Sequence, residues 1–351
     1  MHAYFKSYHL NFKTPSGTSR GILRQKKTYF LIVEKENQIG IGECGLFEGL
    51  SYDDQPYYED KLYWVCQNIQ LGLNKLLNET IEFPSIQFGL EMAFLSLAAD
   101  DNFNLMPSRF TKGTDSIKIN GLIWMGEKAF MKSQIEDKIK QGFSCVKLKI
   151  GAINFEEELD LLKYIRNEFT SDDIELRVDA NGAFSPSGAL EKLSELSKFD
   201  LHSIEQPIKQ GQFEAMAKLC KETPLPIALD EELIGVVDVT KRKQLLQTIK
   251  PQYIILKPSL VGGIKNSKHW MDLADELEIG YWITSALESN IGLNAIAQFT
   301  YDLGLRMPQG LGTGALFTNN FESPLEVIGE RLHYNSNLNW GNLDELFMLR
   351  L

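Results

Sequence analysis

LRVDANGAF (176–184), SIEQPI (203–208) and IALDEEL (227–233) share one pattern. Each begins as a short apolar, β-prone run and breaks off at a carboxylate: Asp179, Glu205 and Asp230. Similar runs precede and follow them. Ile117–Leu122, Cys145–Ile150, Glu175–Asp179, Ser203–Glu205, Ile227–Asp230, Tyr253–Lys257 and Tyr281–Thr284 start 24 to 30 residues apart. A parallel strand needs a crossover helix to return to its starting edge, and one such unit takes about 30 residues. Seven in succession predict a parallel barrel, with a doubly wound open sheet as the alternative.

The stretches between runs carry helical spacing. Phe155, Leu159, Leu162 and Ile165 fall on one face, with Glu156, Glu157, Glu158 and Asp160 largely elsewhere. Leu190, Leu193 and Leu196 repeat the pattern after Pro186, a residue suited to a first helical turn. The first 110 or so residues read differently. Tyr4–Phe12, Lys27–Glu34 and Gly40–Glu43 look like antiparallel strands, followed by helices over Tyr57–Leu77 and Ser85–Ala99. The expected division is an α+β unit over 1–113, a barrel over 114–316, and a tail over 317–351 that packs back on the first unit.

In a parallel barrel the strand C-termini ring one mouth, where active sites sit. Three neighbouring acids there repel one another unless a cation stands between them. Any one of them could instead cap the next helix; three on successive strands favour a metal. An all-oxygen donor set selects a hard ion, Mg²⁺ first and Mn²⁺ second. No histidine follows these strands, which disfavours zinc.

VKLKIG (146–151) places Lys147 and Lys149 two residues apart, so on a strand both point the same way. A solvent-facing alternating strand would do the same, but a central barrel strand has no solvent face. The sixth run, YIILKPSLVGG (253–263), ends its apolar part at Lys257, across an eight-stranded barrel from the second. Two lysines flanking a carboxylate substrate on a metal suit removal of the α-proton by a lysine base. GLGTGA (310–315) lacks the strand and acidic partner of a dinucleotide fingerprint, and no P-loop or GxSxG elbow occurs.

The net charge of −11, from 36 Lys and Arg against 47 Asp and Glu, disfavours binding to phosphate backbones, so no nucleic-acid partner is expected. The N-terminus lacks a signal-peptide core and no run of about 18 apolar residues occurs, so the expectation is a cytoplasmic protein without a membrane partner. The four cysteines have no CxxC spacing and are expected as free thiols.

KLKIG, LRVDANGAF, SIEQPI, IALDEEL and IILKPSLVGG together resemble the muconate-lactonising-enzyme subgroup of the enolase superfamily, over nearly the whole chain. GIGECGLFEGLS (40–51) is similar to that subgroup's cap strand and mobile loop, and FGLEMAFLSLAAD (88–100) to its cap helix. The resemblance implies an α/β fold, a modified (β/α)7β TIM-like barrel with an α+β capping domain. It implies Asp179, Glu205 and Asp230 as Mg²⁺ ligands, Lys149 as base, and Lys257 as the charge that stabilises the enediolate. Lys147, as a partner lowering the pKa of Lys149, with Asn181, Glu231 and Ser285, would act around that site or bind substrate.

ITSALESNIGLNAIAQF (283–299) and QGLGTGALFTNN (309–320) are most similar to the dehydratases of the subgroup that serve menaquinone formation. They imply syn dehydration of 2-succinyl-6-hydroxy-2,4-cyclohexadiene-1-carboxylate to 2-succinylbenzoate. An N-acylamino-acid racemase or dipeptide epimerase using the same site is the alternative. The loops Ser16–Gly21 and Leu46–Ser51 are expected to close over the mouth.

Overall fold

The computed structural model describes residues 1–18 and 21–347. Three antiparallel strands open the chain: β1 (His2–Thr18), β2 (Gly21–Lys35) and β3 (Gln38–Cys44). Residues Tyr29–Val33 of β2 are buried on both faces, because the strand separates two cores. Phe30 and Ile32 join the barrel core, while Tyr29, Leu31 and Val33 join the core under the helices of the first unit. Side chains alternate along a strand, so a period of two sorts them between the layers.

Those helices are α1 (Tyr58–Gln67), α2 (Leu73–Glu79) and α3 (Pro84–Ala98). The single helix expected over Tyr57–Leu77 is thus broken in two. Gly72, at φ +78°, takes a left-handed conformation that a helix interior does not accommodate. Helix α3 lies directly on β3. A Cβ at Gly42 would come within 1.9 Å of the Gly89 carbonyl oxygen, so this close approach requires glycine.

The second unit is a parallel sheet in sequential order: β5 (Gly121–Ile123), β6 (Cys145–Lys149), β7 (Glu175–Asp179), β8 (Ser203–Glu205), β9 (Ile227–Leu229), β10 (Tyr253–Leu256) and β11 (Gly280–Ile283). Gln309 and Gly310 close it as an eighth strand, bridging Ile119 on one side and Thr284 on the other. The intervening helices are α4 (Lys128–Lys140), α5 (Phe155–Glu168), α6 (Pro186–Leu196), α7 (Phe213–Glu222), α8 (Val239–Ile249), the single turn α9 (Pro258–Val261), α10 (Gly263–Glu276) and α11 (Asn290–Asp302). The result is a (β/α)7β barrel.

Two local expectations change. The run Ile117–Leu122 is not one strand. Ser116–Lys118 forms β4, which pairs outside the barrel with β13 (Arg331–Tyr334), and only Gly121–Ile123 enters the barrel. Between them the closing segment takes the backbone bonds, from Gln309 N to Lys118 O and from Asn120 N to Gln309 O. On α5 the buried face is Glu158, Leu161, Leu162 and Ile165. Glu158 turns inward because its carboxylate accepts the Gly151 N–H at the start of the loop after β6, 2.6 Å away.

The chain end touches both units. Phe317 bridges Phe12, Thr318 N donates to Asn11 O, and Asn319 bonds Tyr8, His9 and Asn11. β12 (Leu325–Ile328) pairs with β13 beside β4. The four cysteines are free and buried.

Candidate active site

Strand alternation sends Val146 and Leu148 into the core and Lys147 and Lys149 to the barrel interior. In register with them, β7 ends on Asp179 and β8 on Glu205, and the chain leaving β9 carries Asp230. The structure therefore brings the strand-end acids and lysines together at one mouth. Lys147 Nζ lies 2.9 Å from Asp179 Oδ2 and also bonds Glu205. Lys149 Nζ donates to Asp179 Oδ2 at 2.9 Å and to Asn181 Oδ1 at 2.8 Å. On the other side Lys257 donates to Asp230, with Glu205 Oε1 3.8 Å away.

Asn181 sits in the left-handed region at φ +43°, which suits Asn better than most residues. That turn lets its Nδ2 reach Glu231 Oε1 at 3.0 Å, linking the loop after β7 to the loop after β9. Ser285 lies apart from the acids. Its hydroxyl meets Thr313 Oγ1 at 2.8 Å, and both line the cavity.

All three acids are almost fully buried. Burial alone would raise the Asp179 carboxyl, but the ammonium of Lys147, then those of Lys149 and Lys257, hold it well below the usual range. Burial likewise works against Lys147, yet Asp179 and then Glu205 keep it protonated above its ordinary value. Lys257 is raised against its burial by Asp230 and then Glu205. Glu205 is where positive charge runs short: burial, and then the Asp179 charge, push its carboxyl up to about 8. Its Oε1 is buried and accepts no hydrogen bond from the described residues. Among the described residues no three His, Cys, Asp or Glu side chains converge into a ready cation cage, since the lysine ammonium groups stand between the acids.

A cavity of about 570 Å³ opens above this cluster, lined by Lys147, Lys149, Lys257, Ser285 and Leu287, with Phe47 and Leu50 from the loop after β3. Leu46–Ser51 thus borders the cavity. For the other expected loop, Ser16–Thr18 and Gly21–Leu23 pair as the ends of β1 and β2, and Ser19 and Arg20 lie outside the described residues.

Several polar residues here escaped the sequence reading. Gln206, left-handed at φ +39°, bonds Glu232 Oε2 through its amide, and its oxygen accepts Asp230 N and Glu232 N, tying β8 to the loop after β9. Its place directly after a strand-end acid was the available signal. Glu43 and Glu288, at the seam between the units, had none.

Residues 131–333 match the family described as enolase C-terminal domain-like. The chain is 46% identical to an o-succinylbenzoate synthase of Desulfotalea psychrophila, covering 94% of this chain and 98% of that one. It superposes on the crystal structure of MenC from the same organism with a TM-score of 0.85, covering 95% of this chain and 99% of that one at 43% identity. An L-amino acid-D/L-Glu epimerase of Francisella philomiragia is 26% identical over 66% of this chain and 64% of its own length. With a family match over more than half its length and a near-full-length relative at 46% identity, the chain belongs to the enolase superfamily, in its o-succinylbenzoate synthase family.

Proposed function

We propose that the chain is a hydro-lyase that dehydrates 2-succinyl-6-hydroxy-2,4-cyclohexadiene-1-carboxylate to 2-succinylbenzoate, a step of menaquinone formation in the cytoplasm. One observation carries the reading: Lys149 and Lys257, each bonded to a buried strand-end acid, line opposite sides of a single cavity, in a chain similar over nearly its whole length to an o-succinylbenzoate synthase. Residues 1–113 with the tail 317–351 would form the cap, and 114–316 the catalytic barrel.

Members of the superfamily typically work with a divalent metal. Asp179, Glu205 and Asp230 would hold it here, and the buried, unbonded Oε1 of Glu205 supports this. Their all-oxygen donor set suits Mg²⁺, with Mn²⁺ second. Bound there, the cation supplies the positive charge that makes the proton next to the substrate carboxylate acidic. Lys149, in its neutral form, takes that proton from carbon. The C–O bond to the hydroxyl then breaks, and Lys149 returns the proton to the departing oxygen on the same face, releasing water and leaving an aromatic ring. Lys257 stays protonated throughout, and its charge opposes the negative charge that builds up on the substrate. Asn181 orients Lys149 and ties it to Glu231.

Turnover of the cyclohexadiene substrate that is lost on chelation and returns with Mg²⁺ would bear this out; full activity in chelator would refute the metal assignment. A racemase or epimerase using both lysines as bases remains the second reading, because the lysines face each other across the cavity and epimerases are among the relatives. Solvent deuterium exchange in the Lys149→Ala and Lys257→Arg variants separates the two. Arginine keeps the charge but does not transfer a proton. Exchange lost from one face in each variant would favour two bases.

A further inference from the structure

Between β11 and α11 the chain turns through Leu287, a non-glycine residue at φ +62°. The left-handed region is strained for a leucine, which persists there only where its surroundings over-determine it. The turn aims Leu287 into the cavity and packs it in one apolar cluster with Phe47, Leu260, Ala286 and Phe317.

The next residue, Glu288, is fully buried. Its carboxylate accepts the Ala286 N–H at 2.7 Å and the Ser259 hydroxyl, so it spans the turn from behind and anchors it beside Lys257. The cap closes on the same group. A Cβ at Gly45 would stand 3.1 Å from Glu288 Cγ, and Lys26 on β2 buries an ammonium that finds no hydrogen-bond partner among the described residues. Burial works against the charge on both Lys26 and Glu288; Glu43 and then Glu288 offset part of that cost for Lys26, and Lys26 does so for Glu288. Glu43 completes the seam. It accepts Thr28 Oγ1, Ser289 N, Ser289 Oγ and Gly292 N, and so fixes the start of α11 immediately after the turn.

We propose that Glu288 is a positioning residue: held by Ser259 and faced by Lys26 of the cap, it keeps Leu287 in the left-handed turn and so sets the apolar wall that recognises the part of the substrate remote from its reacting carboxylate. This rests on the dehydratase reading only for the choice of substrate. The wall would contact substrate alike in ground and transition states, so its loss should appear in KM and not in kcat.

The test is steady-state kinetics on whichever substrate, cyclohexadiene or N-acyl amino acid, the wild type turns over. Glu288→Ala should raise KM about tenfold with kcat within about threefold. Glu288→Gln, which can accept from Ala286 N and donate to Ser259 Oγ, should restore KM to within about threefold. Leu287→Gly, at ease in the left-handed region, should raise KM about as much as Glu288→Ala, and the double variant should be no worse than either. An unchanged KM in Leu287→Gly overturns the proposal even if Glu288→Ala does not fold. Additive losses in the double variant, or a fall in kcat at constant KM, also overturn it. Absence of wild-type turnover of the cyclohexadiene counts against the dehydratase reading and leaves this one to be decided on the second substrate.

Discussion

The barrel mouth and the cap–barrel seam both bury carboxylates, yet they satisfy them by different means. At the mouth, Asp179, Glu205 and Asp230 are met mainly by lysine ammonium groups on long side chains. At the seam, Glu43 is met by two backbone N–H groups and two hydroxyls, Glu288 by one of each, and Glu91 by the first N–H groups of α10. A lysine can swing to a new partner when a cation or substrate arrives, whereas a backbone N–H cannot. The first kind of burial suits chemistry and the second suits rigid docking of cap to barrel.

The contrast is broken most severely at Lys149. Lys149→Ala should lower kcat by about 10²- to 10⁴-fold or more, because the group proposed to carry the proton is gone. Thermal unfolding should stay close to wild type, since Lys147 still neutralises Asp179. A large loss of Tm would place Lys149 among the structural groups.

The converse change is Glu43→Ala. It strands Ser289 N, Ser289 Oγ and Gly292 N, leaves the Thr28 hydroxyl only Cys44 O, and removes a carboxylate that acts on the buried Lys26, and should cost about 3 kcal/mol or more in urea unfolding. Turnover per folded molecule should fall far less than in Lys149→Ala. Unfolding unchanged within error would show that the seam acids do not hold the units together.

The smallest effect sharpens the comparison through pH. Burial pushes Glu91 up to about 7, with the Lys265 and Ile264 N–H groups and the Lys265 and Lys268 charges opposing. The folded state then binds this proton more tightly than the unfolded chain, where Glu titrates near about 4.3. The stabilisation is complete below about pH 4.3 and is lost as pH rises through about 7, with about 2–3 kcal/mol of the loss falling between pH 5 and pH 8. Glu91→Gln lacks this titration, so the stability of wild type relative to the variant should decline between pH 5 and pH 8. A pH-independent difference in urea midpoints would mean that the α10 N-terminus keeps Glu91 ionised throughout.

The mouth was more legible in the sequence than the seam. Asp179, Glu205 and Asp230 announce themselves because each ends an apolar run, and Lys147 and Lys149 because a strand alternates with period two. Both rules are local, and the recurrence of the runs fixes which strand ends are neighbours. Barrel order, the alternation of the lysines and the α+β character of the first unit were therefore determined by the sequence itself. Tertiary structure decided the rest. Only the return of Gln309 and Gly310 splits Ile117–Leu122 between two sheets. Only the loop after β6 turns Glu158 inward on a helix whose charge pattern placed it outside. Glu43 and Glu288 gain their meaning from partners up to 249 residues away in the chain. A buried acid is stable only beside its donors, and which donors reach it is set when cap and barrel close on one another, a long-range choice that no local period encodes.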